Sequence, residues 1–214
     1  MVNSFFPFKT CEKPNIDGII AQPVSATINI ITCIILLYYA LIAKTTTIRL
    51  LIISFILFQA YHAYSHMKHI DGHIQSNVIH VIWYFVSFMI LIASIKITKH
   101  PPHHYTIILL SIIIFIDIYL SLFTDKLYMI FTGFSLPIII TLSYYNLYPD
   151  YMKKNIPYLI LLLVVVVILI LNEKINCENM ISFAIFPYHA FIEILGLILF
   201  SSLANIFIKS ETFI

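Results

Sequence analysis

His62 and His66 stand at i and i+4 in the chain, and so do His189 and Glu193. On an α-helix that spacing puts both members of a pair on one face. Two imidazoles, or an imidazole and a carboxylate, can then reach one ion together. Zinc takes His nitrogen and Glu oxygen, and its catalytic sites usually pair three protein ligands with a water. Its charge offsets a buried carboxylate, and it acidifies water into a nucleophile near neutral pH. His62, His66, His189 and Glu193 are therefore candidate metal ligands, with zinc the candidate ion. His80, Ser65 and Asp117 are candidate catalytic groups: His80 as general base or, like His66, a fourth ligand, with Ser65 and Asp117 in support. Plainer roles exist for each. A histidine in a helical bundle is commonly a hydrogen-bonded packing residue, and Asp117 can accept from neighbouring hydroxyls. His66, His69 and His73 lie close to the membrane interface, where water reaches them.

The elements that carry these residues follow from composition. The chain has 214 residues, 61% hydrophobic and 10% charged, against about 45–50% and about 25% in an ordinary soluble domain. Too little charge remains to coat a water-facing surface. Disordered, nucleic-acid-binding and coiled-coil classes are excluded, since each needs a polar or charged chain. The expected fold class is an all-α integral membrane protein, a seven-transmembrane helix bundle with membrane lipids as its partners and no nucleic acid. Stretches long enough to cross a bilayer, roughly 17–25 residues, run over Ile19–Ala43, Arg49–Lys68, Asn77–Ile95, Tyr105–Phe123, Leu127–Leu147, Pro157–Leu171 and Ile181–Ile208. Residues 1–18 are expected to form an outer tail, 19–208 the bundle and 209–214 a short cytoplasmic tail. The first run is too long for the h-region of a signal peptide. Seven Lys and Arg on the carboxyl-terminal side against five on the amino-terminal side place the amino terminus outside or lumenal under the positive-inside rule.

Alternating span direction then fixes depth. His62, Ser65 and His66 fall near the far end of the second span, and His80 near the start of the third. Asp117 is near the end of the fourth, and His189 and Glu193 near the start of the seventh. All of these, with Gln22 and Asn29 of the first span, lie in one leaflet. Ionisable residues are costly inside a membrane and mark function. His100, His103 and His104 flank Pro101 and Pro102 in a loop on the other side, too far away to join them. Pro187 lies where a bend would aim His189 inward. No lysine precedes Lys209 in the last span, which excludes a retinal Schiff base.

Seven helices, the segment Tyr61-His62-Ala63-Tyr64-Ser65-His66 and the segment Tyr188-His189-Ala190-Phe191-Ile192-Glu193 resemble the CREST superfamily. That group contains alkaline ceramidases, progestin and adiponectin-type receptors and Per1-like proteins. The resemblance implies a zinc ligand from the second helix and a pair from the last, where His189-x-x-x-Glu193 stands in place of the family's two histidines. Phe58 replaces the family's serine, and His80 is the nearest candidate for its acidic residue near the start of the third helix. Cys11-Glu12, Gln22-Pro23 and Asn29 are similar to the tail and first helix of ceramidase-like members. This implies calcium as a candidate at the tail and a disulfide between Cys11 and Cys177, hence an oxidising compartment. The function implied is zinc-dependent hydrolysis of a lipid amide or ester. The alternative is a receptor-like or structural membrane protein whose site binds a metal or only packs. Transport is the third possibility, but no polar path continues through the opposite leaflet.

Overall fold

A chain in hydrocarbon must satisfy every backbone N–H and C=O within its own segment, and this sequence answers with helices. The computed structural model describes residues 11, 12, 15, 18–68, 72–123, 127–180 and 187–213, with backbone alone at 72–77, 120–123, 127–133, 174, 178–180 and 213. Among the described residues are seven α-helices and no strand: α1 Pro23–Ile42, α2 Thr46–Met67, α3 Gly72–Thr98, α4 His104–Phe123, α5 Leu127–Ser143, α6 Asp150–Met180 and α7 Tyr188–Ser210. Five carry stretches long and apolar enough to cross a bilayer: α1, α2, Val78–Thr98 of α3, Asp150–Glu173 of α6, and α7. The apolar parts counted in α4 and α5, His104–Tyr119 and Phe134–Ser143, are shorter. The protein is an all-α, multi-pass membrane protein.

The outer faces agree with that class. Leu41, Phe115 and Val81 are 73%, 71% and 68% exposed, a surface that suits lipid and would cost heavily in water. Inside, α1 packs between α2 and α7, α2 reaches α3, and α3 reaches α5. Helix α6 packs on α7, while α4 packs mainly against α5. The dry core gathers Leu36, Leu51, Phe55, Ile90, Phe200 and Phe207 in the half of the bundle away from the amino terminus. The opposite half holds the buried polar groups.

Helix ends differ from the hydropathy boundaries for local reasons. Helix α1 begins at Pro23, not Ile19, because proline suits the first turn, where no N–H is needed. Its exposed donors are satisfied from the tail, since Glu12 accepts from Val24 N at 2.8 Å, from Ser25 N at 2.9 Å and from the Ser25 hydroxyl. At the other end of the bundle, Glu211 accepts from Lys44 N at 2.9 Å and Thr45 N at 2.7 Å, clasping the α1–α2 connection. The sixth span departs most. Hydropathy bounds it at Pro157 and at Asn172-Glu173-Lys174, yet α6 runs 31 residues straight through both. Polar residues end a hydrophobic stretch without ending a helix. Pro187 caps the start of α7 instead of bending it from within; residues 181–186 of the expected seventh span lie outside the described residues.

Candidate metal centre

The last turns of α2 and the first turns of α7 meet where α1 begins. Ala21 N donates to Met67 O at 3.2 Å and Gln22 N to His66 O at 2.9 Å, so the entry to α1 occupies carbonyls that the end of α2 would otherwise leave open. Four side chains converge under this junction: His62 and His66 from α2, His189 and Glu193 from α7. One donor atom from each lies within 4.8 Å of all the others. Glu193 Oε1 is the focus, 2.9 Å from His189 Nε2, 3.2 Å from His66 Nε2 and 3.6 Å from His62 Nε2. Side-chain exposure is 1% for His66, 6% for Glu193 and 9% for His189, but 25% for His62. The centre is closed except beside His62.

Hydrogen bonds behind the ligands decide which nitrogens face inward. Gln22 Nε2 donates to Glu12 O at 2.7 Å, leaving Gln22 Oε1 to accept from His66 Nδ1–H at 2.7 Å. His189 Nδ1 lies 3.0 and 2.9 Å from the two oxygens of Glu173, and a carboxylate can only accept. Both rings therefore carry a proton on Nδ1; in a neutral ring this turns the Nε2 lone pair toward Glu193, and in a doubly protonated ring Nε2 donates to it, His66 Nε2 lying within hydrogen-bond distance of Glu193 Oε1 at 3.2 Å. His189 Nε2 approaches Glu193 Oε1 at 2.9 Å, yet it is buried and makes no hydrogen bond of acceptable geometry. Lone pairs facing a carboxylate repel unless a cation lies between them. Tetrahedral zinc at about 2.0–2.1 Å from each ligand separates ligand atoms by about 3.3 Å, close to the three distances to Glu193. The donor set fits a borderline metal such as zinc, and a metal ion could be held here.

The other candidates fall elsewhere. His80 Nε2 and the Tyr84 hydroxyl both bond Asp117 Oδ2 across the α3–α4 contact, so His80 and Asp117 keep company with each other and are not in the four-residue group. Ser65 is buried and donates back to Tyr61 O at 2.9 Å, as hydroxyls commonly do inside helices. Asn29 likewise donates to Ser25 O at 3.0 Å. His69 lies outside the described residues, and His73 is described in backbone only. His100, His103 and His104 are exposed at the opposite end. Cys11 and Cys177 stand at disulfide distance, with Cα atoms 5.3 Å apart. Both carboxylate oxygens of Glu12, a candidate for calcium, are taken up at the start of α1.

Glu173 is the residue that hydropathy missed. It sits among polar residues at the edge of a span, and nothing in its sequence neighbourhood distinguishes it from a solvated flank. It is 2% exposed. The one available signal is its i,i+4 relation to Cys177, which places it on the α6 face that the tail covers. No family model, curated protein or solved structure matches the chain.

Proposed function

We propose that the chain is a seven-span membrane protein whose His62, His66, His189 and Glu193 hold zinc, and that it hydrolyses an amide- or ester-linked acyl lipid. The observation that carries this is the convergence of three imidazole Nε2 atoms on one buried carboxylate oxygen. Helices α4 and α5, at 20 and 17 residues, span about 30 and about 26 Å at 1.5 Å per residue, enough to complete seven crossings. Zinc, when bound, supplies Lewis acidity and an acidified water. Access is on the side of His62. Its ring lies 5.8 Å from that of Phe58, which neighbours Trp83 at 4.9 Å and Phe200 at 5.5 Å. Trp83 and Phe200 in turn line a small apolar cavity of about 80 Å³ with Phe55, Phe134 and Leu199. The resemblance to ceramidase-like proteins agrees with this chemistry. The Cys11–Cys177 pair, which suits an oxidising compartment, and the Lys and Arg distribution support an amino terminus that is outside or lumenal.

A second reading has its own support. Four protein donors fill a tetrahedral shell, as in structural zinc sites, which favours a non-catalytic metal or packing centre in a receptor-like bundle. Purified protein should contain stoichiometric zinc by elemental analysis, and His62→Ala and His189→Ala should lose it. Wild-type protein without metal overturns the proposal. With metal present, release of fatty acid from vesicle-borne acyl amides and esters, abolished in Glu193→Gln, separates the hydrolase from the structural site.

A further inference from the structure

His66 and His189 are each held from behind, and what holds His189 is a carboxylate. Glu173 is on α6, a different helix from any of the four ligands, and its carboxylate is almost wholly buried. Both its oxygens face His189 Nδ1, at 3.0 and 2.9 Å. Oε1 also accepts from Cys11 N at 2.6 Å. Cys11 is within bonding distance of Cys177, one turn along α6 from Glu173. A closed loop results, from Glu173 along α6 to Cys177, across the sulfurs to Cys11, and back through the Cys11 N–H to Glu173. Tyr188, at the start of α7, fastens the same stretch of α6. Asn172 Nδ2 donates to its hydroxyl at 3.1 Å, and that hydroxyl donates to Leu169 O at 3.5 Å. His66, by contrast, rests on the neutral amide of Gln22.

We infer that Glu173 is a positioning residue of the metal centre, aiming His189 Nε2 at the ion and raising its basicity, and that the Cys11–Cys177 disulfide holds Glu173 in place to do so. A carboxylate behind a ligating histidine fixes tautomer and ring orientation and strengthens the donor. The loop through Cys11 supplies the second N–H that a buried carboxylate needs, and it anchors the tail over Glu173. The inference rests on the proposed metal centre but names a residue outside the ligand set.

The test uses the full chain in detergent, with zinc affinity read by chelator competition and ligand geometry by the visible spectrum of the cobalt-substituted protein. Glu173→Gln should weaken zinc about 10–100-fold and shift the cobalt bands. Glu173→Asp should recover part of the affinity. Joint replacement Cys11→Ala with Cys177→Ala should weaken zinc less than Glu173→Gln does, and add little to it when combined. Zinc affinity and cobalt spectrum in Glu173→Gln equal to wild type would overturn the inference while leaving the metal centre standing. If wild type binds no metal, the metal centre falls, and ¹⁵N-histidine spectra decide what remains. Loss of the His189 Nδ1–H tautomer in Glu173→Leu, which has no acceptor, supports positioning, and an unchanged His189 signal in that variant (assigned by its absence in His189→Asn) overturns it.

Discussion

At the scale of single residues, two polar sets that hydropathy places at one depth have separate partners. His62, His66, His189 and Glu193 point at one another, whereas His80 and Tyr84 share the carboxylate of Asp117. The same Asp117 is 2% exposed, and replacing a buried, doubly bonded carboxylate weakens its bonds without touching the four residues proposed to hold a metal. Asp117→Asn is therefore expected to cost about 1–3 kcal/mol, read as a lower melting temperature in micelles, with zinc content unchanged. Zinc loss in that variant would mean that the two sets act as one. Residue type alone could not have separated them, because His80 and His62 look equally suited to a metal.

At the scale of elements, helix termini do more here than helix middles. The tail reaches the start of α1 with a carboxylate, supplying from far along the chain the cap that Gln22, the residue before Pro23, does not provide with its own side chain. The same tail segment positions Gln22, and Gln22 orients His66. Glu12→Ala should destabilise the protein by about 0.5–2 kcal/mol, as loss of an N-terminal cap does. Thermal unfolding followed by circular dichroism measures it, and an unchanged melting temperature would mean that water serves the α1 donors equally well. Helix α6 makes the complementary point. Its hydrophobic stretch was visible as Pro157–Leu171, but the helix continues to Met180, and the added turns carry Glu173 and Cys177 to the centre. Hydropathy measures where lipid ends, and backbone hydrogen bonding goes on past that boundary.

At the scale of the whole molecule, polar groups and apolar core are segregated along the bundle: the His/Glu centre and tail toward the amino-terminal end, the packed core toward the other. That polarity makes orientation testable. Lys154, at the far end of the bundle near the start of α6, is expected on the cytoplasmic side. In oriented membranes, a membrane-impermeant thiol reagent should label Lys154→Cys only from that face, and labelling from the outer face would reverse the topology. The sequence by itself determined the class, the helices and the end of the bundle to which His62, His66, His189 and Glu193 belong. Hydropathy is a one-dimensional property: apolar run lengths mark the helices, and position within a run marks which end of the helix a residue is near. From this alone His62, His66, His189 and Glu193 could be gathered into one leaflet with their i,i+4 faces known. Only the tertiary structure decided the rotation of each helix about its axis and so who meets whom. It turned His80 toward α4 and brought Glu173, which reads in the sequence as the polar edge of a span, against the ring of His189. Rotation in a helix that is apolar all round is set by side-chain packing with its neighbours, and that information is spread over the other helices.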